Sequence, residues 1–104
     1  MTTRAISDVL SERERQISVE GWTPEHDDQH NDSSMSIAAA CYALADIPAL
    51  EVQTVKLRDL WCWTGWGPSW FKPKDRRRNL VRAAALLIAQ IERLDRDAAR
   101  KEQP

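Results

Sequence analysis

The residues from Arg76 onward, RRRNLVRAAALLIAQIERLDRDAARKEQP, constrain the fold more than any other stretch. Leu80, Ala84, Leu87, Ile88, Ile91 and Leu94 recur with helical periodicity, so the segment reads as one long amphipathic helix over about residues 74–100. That stripe is expected to face the core. Glu92 with Arg96 and Arg93 with Asp97 stand four apart, as ion pairs on the exposed side do. Pro73 sits near the start, where its missing N–H costs nothing, and the closing RKEQP is expected to fray.

A helix of this length needs partners, and two are legible. Ile6, Val9, Leu10, Arg13 and Ile17 share a face over about 3–19, with Gly21 as a natural stop. Ser11 and Glu14 have capping-box spacing, which would start the regular helix only at Ser11. SIAAACYALA, over about 34–46, carries small side chains on nearly every face, with Ser33 or Ser34 as cap and Pro48 as terminator. Such a helix lets neighbours approach closely and belongs at the centre. Met35 and Tyr42 are expected to pack there. LEVQTVKL has β-branched residues but no partner strand, and WCWTGWGPSW is broken by Gly65, Gly67 and Pro68, so 48–72 reads as loop. The expectation is all-α: a three-helix domain with a long tryptophan-rich loop before the last helix. At 104 residues the chain makes one domain and buries about 60–68% of its unfolded surface, enough for a modest pocket.

The formal charge of −1 gives no global pull toward nucleic acid or membrane. Charge is unevenly placed, however. Seven acids stand against Arg13 and Arg15 between Glu12 and Asp32, and six bases stand against Asp75 between Lys72 and Arg82. The runs either pair in the fold or face different partners. Cys41 and Cys62 are too few for a disulfide scaffold; no 18-residue apolar stretch is present, and no leader segment is expected. A reducing cytoplasm is the expected compartment.

Two clusters carry the chemistry. EGWTPEHDDQH places Trp22, Glu25, His26, Asp27, Asp28 and His30 together. His26, Asp27 and His30 are metal-ligand candidates by type, but there is no HExxH and no cysteine pair. The same residues suit a capped turn after Pro24, or a polar surface against an organic ligand. The second cluster is Trp61, Trp63, Trp66 and Trp70, four indoles in ten residues. Aromatic faces stack on planar ligand rings. FKPKDRRR follows directly, so Lys72, Arg76 and Arg77 lie near a helix N-terminus that favours an anion. Ring stacking beside phosphate anchoring is what a nucleotide needs.

The pattern Glu20–His30, the alanine-rich Ala38–Ala43 with its tyrosine, and Trp70–Leu80 followed by Ala83–Leu94 resemble a group of small uncharacterised proteins of phages and prophages. That resemblance implies a phage origin, a bacterial host cytoplasm and no settled activity. Arg15, Gly21, Trp22, Asp27, Asp28 and His30, with Lys74–Leu80, resemble the repeat domain of ryanodine receptors and its bacterial relatives. Pro24–Glu25 stands where that domain has Tyr-Gly. This second resemblance implies a module sensing a small ligand, nucleotide-derived ligands included.

The leading expectation is therefore a non-enzymatic protein that binds a small anionic, nucleotide-like ligand through Trp22, the four later tryptophans, Arg76 and Arg77, with no cofactor. One alternative is a factor pressing its tryptophans into a host protein. Another is a metal-dependent nucleotide hydrolase built on the 20–30 cluster, which would need at least three converging ligands. A homodimer is also compatible with so small a helical chain.

Overall fold

The computed structural model describes residues 2–29, 33–45, 47 and 57–103. His30, Pro48 and the segment 49–56, which includes most of LEVQTVKL, lie outside them. Within the described residues the protein is all-helical, with no strand. The helices are α1 (Arg4–Ser18), α2 (Pro24–Asp28), α3 (Ser34–Leu44), α4 (Leu57–Trp61) and α5 (Arg76–Lys101), with 3-10 turns at Cys62–Thr64 and Pro68–Trp70.

Local chemistry sets the ends. Thr3 caps α1, its Oγ1 accepting from the Ile6 N–H at 3.2 Å. The helix therefore runs unbroken through Ser11, and the capping-box start is not used. Gly21 takes φ +76°, a left-handed conformation open to glycine, which lets the Trp22 N–H close back on the Gln16 carbonyl at 2.9 Å. Thr23 caps α2 ahead of Pro24. Asp75 caps α5, accepting from the Arg78 N–H at 2.9 Å. Asn79, fully buried, clamps the approach by exchanging hydrogen bonds with the Lys74 backbone at 2.7 and 2.9 Å.

The segment expected as loop is partly helical. It holds α4 and both 3-10 turns, because Trp61, Thr64 and Gly65 build a compact local unit. Trp61 is buried and its indole N–H donates to the Gly67 carbonyl at 3.1 Å. The Thr64 hydroxyl donates to the Trp61 carbonyl at 2.7 Å and accepts from the Trp66 N–H at 3.0 Å.

The core is where α3 meets α5: Ala38, Ala39, Cys41, Tyr42, Trp61, Ala83 and Leu86 are buried together, with Trp22, Trp66 and Phe71 packed against them. Met35 and Tyr42 are buried as expected. The orientation of α5 is not as expected. Its buried face is Asn79, Val81, Ala83, Ala85, Leu86, Ala89, Gln90 and Arg93, while Leu80, Leu87, Ile91 and Leu94 are exposed. The alanine-rich α3 approaches so closely that its contact on α5 is made of small residues, and the leucine stripe turns outward. The anticipated ion pairs change with it. Glu92 accepts from Arg13, Arg96 donates to Asp28, and Arg93 is buried.

α1 is turned only in part from its expected facing, since Arg13 is buried with that face and Val9 and Ile17 are half-buried. It buries Glu12, Arg13 and Gln16 and leaves Ile6 and Leu10 exposed. Arg13 joins three segments, donating to the Trp22 carbonyl at 3.1 Å, to Asp27 at 2.9 Å and to Glu92 at 3.3 Å.

Candidate functional site

Trp22, placed by the Gly21 turn, meets Trp66 from the later aromatic segment, with ring centroids 5.5 Å apart and planes tilted by 36°. These two rings, with His26, Trp70, Gly65 and Gly67, line an open depression of about 330 Å³. That is at the small end of the volumes that hold organic ligands. Gly65 takes φ +76°, which turns the chain between Trp63 and Trp66. Behind this wall the aromatic packing continues into the core. Trp61 stacks on Phe71 at 4.9 Å and meets Tyr42 edge-on at 5.9 Å.

Beside the depression lies a smaller, polar pocket of about 40 Å³, room for about three waters. Its lining includes Glu12, Arg15, Gln16, Tyr42, Lys72 and Arg82, and it shares Trp22 and Trp70 with the aromatic depression. The acids here are committed. Arg15 donates to both carboxylate oxygens of Glu12 at 2.8 Å and to Glu20 at 2.9 Å, and Arg78 lies 3.1 Å from Glu12. Burial pushes the Glu12 carboxyl up, but the Arg15 hydrogen bond and the charges of Arg15, Arg78 and Arg82 outweigh it and hold the group below its ordinary value. The Glu12 hydrogen bond in turn raises Arg15 far above its usual range.

The uncommitted atoms are the informative ones. Gln16 is 1% exposed, and its Oε1 has no hydrogen-bond partner among the described residues; nor has the buried Nε of Arg82. Such orphans cost stability unless something fills the space beside them. Arg82 is otherwise held by the Lys72 carbonyl at 2.9 Å, with its guanidinium 5.7 Å from the Tyr42 ring. The Tyr42 hydroxyl donates to the Trp70 carbonyl at 3.2 Å and accepts from the Lys72 N–H at 3.1 Å. It packs and positions the strand of chain that carries both residues. The Lys72 ammonium sits 5.9 Å from the Trp70 ring centroid.

Of the residues singled out in the sequence, the structure brings Trp22, His26, Trp66 and Trp70 to one depression, with Lys72 at the pocket beside it. Trp61 is core, and Trp63 is 78% exposed and lines neither space. Arg76 and Arg77 line neither space. Arg77 pairs with Asp8 at 2.9 Å, in a separate depression along α1, because the first turn of α5 faces α1. Glu25 is exposed on α2, and Asp28 is held by Arg96 and Arg100. His30 lies outside the described residues.

Asp27, a metal-ligand candidate by type, instead accepts from Arg13 and lies 3.6 Å from His26 Nδ1. Burial raises its carboxyl pKa, and Arg13 offsets only part of that rise. Among the described residues no group of three or more His, Cys, Asp or Glu side chains converges as a metal cage would require. Cys41 is buried, and burial pushes its thiol up to about 11, far from a nucleophile's range.

The residues that sequence reasoning missed are Gln16, Arg15, Glu12 and Arg82. The available signal was the spacing of Glu12, Arg15 and Gln16, which puts a polar stripe on one side of α1. No family model, no curated protein and no solved structure matches this chain.

Proposed function

We propose that the protein binds a small ligand with a planar ring and an anionic or strongly polar tail, nucleotide-derived compounds being the class that best combines the two. The observation that carries this reading is the pair of shared walls. Trp22 and Trp70 border both the aromatic depression and the polar pocket, whose lining includes Gln16 and Arg82, two residues that each keep a buried side-chain atom without a hydrogen-bond partner among the described residues. A ring held against Trp22 and Trp66 would direct its polar tail toward Lys72 and Arg82. The 40 Å³ inner space admits a carbonyl, hydroxyl or carboxylate oxygen, while a phosphate would remain at the mouth beside Lys72. His26, which also lines the depression, would contact a ribose or amide. In a phage or prophage setting, such a protein would sequester or sense a nucleotide signal of host defence.

Losing one stacking ring should weaken binding by about 1–3 kcal/mol, and losing one charge-assisted contact by about 1.5–3 kcal/mol. Calorimetric titration of mononucleotides, cyclic dinucleotides and ADP-ribose derivatives tests this, using the wild type, Trp66→Ala and Arg82→Gln. Arg77→Ala serves as a control, since Arg77 faces Asp8. Binding to the wild type, weakened by the first two changes and untouched by the control, is the expected result.

Trp63 supports a second reading. An indole 78% exposed on a 3-10 turn is the kind of anchor a protein partner covers. Absence of binding across the panel, with capture of a host protein abolished by Trp63→Ala, would favour it.

A further inference from the structure

The outward stripe of α5 has a property that a solvated helix does not need. Leu80, Ala84, Leu87, Ile91, Leu94 and Ala98 follow the 4-3-4-3-4 spacing of a coiled-coil seam. They lie on the side of α5 opposite the buried Leu86, Ala89 and Arg93, and Leu80, Leu87, Ile91 and Leu94 are each 43% or more exposed. On the shoulder of the seam Ile88 meets Ala5, Ile6, Val9 and Leu10 around an open apolar depression of about 230 Å³, and Ile6 and Leu10 are themselves exposed. The apolar face therefore extends across two helices. We propose that this face is the interface of a homodimer, in which α5 packs antiparallel against α5 of a second copy.

Three features select a second copy in that orientation. The first is volume. An antiparallel seam pairs each position of one spacing class with the other, and centring it on residue 89 opposes Leu80 to Ala98, Ala84 to Leu94, and Leu87 to Ile91 of the partner copy. Large side chains meet small ones at both ends and two large ones meet in the middle, as interdigitating layers require.

The second is charge. The N-terminal turn of α5 carries Arg76, Arg77 and Arg78, while its last turns mix Asp95, Asp97 and Glu102 with Arg96, Arg100 and Lys101. A parallel pair would set the arginine turn against its own copy. The antiparallel pair keeps the two arginine turns apart and aligns the helix dipoles favourably.

The third is area. A 26-residue helix is about 39 Å long and about 10 Å across, a projected face of roughly 390 Å² per copy to which the α1 shoulder adds. Two such faces approach the roughly 1,200 Å² at which specific stable interfaces begin. Left bare, the patch would be among the larger ones that monomeric surfaces expose, roughly 300–600 Å².

Sedimentation equilibrium on the full chain at micromolar concentration tests the interface. The expected mass is twice the 11.9 kDa chain mass. The Leu87→Glu, Ile91→Glu double variant should fall to the single-chain mass while its helical circular dichroism is retained. A wild type that stays monomeric across the concentration range, or a dimer that the double variant leaves intact, overturns the proposal. Orientation is read by disulfide formation in a Cys62→Ser background, which removes the exposed native thiol. Leu80→Cys combined with Ala98→Cys should cross-link two chains, and neither change alone should. Cross-linking by Leu80→Cys alone would mean parallel packing and contradict the antiparallel seam. This arm also decides the matter if the double glutamate variant fails to fold.

Discussion

Arg13 sits on the sequence stripe of α1 that otherwise holds Ile6, Val9, Leu10 and Ile17, yet in the structure it is a hub rather than an interruption. Its planar fork reaches a carbonyl and two carboxylates on three different segments, a geometry lysine could not reproduce. A few residues on, Asp27 and Asp28 are adjacent in sequence and opposite in behaviour. Burial raises the Asp27 pKa, whereas hydrogen bonds from Arg96 and Arg100 hold Asp28 below its ordinary 3.8. In the unfolded chain Asp28 returns to that ordinary value. The stability it supplies is therefore complete above about pH 5 and is lost as pH falls through the lower folded value. Asp28→Asn should accordingly be less stable than the wild type at neutral pH, and the gap should close on acidification. Chemical denaturation across pH 2–7 (a window of roughly the carboxylate range) checks this. A gap that does not depend on pH would place Asp28 outside the ion-pair cluster.

At the level of the element, the positions of the three longest helices were legible in the sequence, whereas α4 and the facing of α5 were not. The ends of α1, α3 and α5 fall within about two residues of where periodicity, Gly21 and the cap signals put them. Periodicity shows that a helix has two unlike faces, but it does not say which face meets its own chain. The core side of α5 is built from Ala83, Ala85 and Ala89 with Asn79 and Gln90, a pattern that reads as neutral in sequence because its stabilisation comes from close approach and from the Asn79 amide held by the Lys74 backbone. Adjacent leucines separate the two faces. Leu86 is buried and Leu87 is 46% exposed. Leu86→Ala should cost about 2–5 kcal/mol. Leu87→Ala, measured at dilutions where the chain is a monomer, should cost less than half of that. Equal losses in urea denaturation would show that α5 is rotated from this arrangement.

Across the whole molecule, much of the aromatic half of the candidate site could be read from sequence, whereas of the charged half only Lys72 could. Trp22 and Trp66 are forty-four residues apart in the numbering, and composition alone sufficed to suspect that they share a surface. Arg76 and Arg77, close behind in sequence at a helix start, were the natural choice of guanidinium. The turn from Trp70 through Asp75 instead aims the start of α5 at Asp8 on α1 and brings Arg82, one and a half turns along, to the pocket. That selection depends on how α1 crosses α5, which no local pattern encodes. The chain's five tryptophans permit a direct test of the central claim, since each indole N–H gives its own resonance in a ¹⁵N correlation spectrum. On titration with the ligand that binds best, the signals of Trp22, Trp66 and Trp70 should shift while that of Trp63, which lines neither space, stays in place. A shift confined to Trp63, with the other three unmoved, would contradict the account.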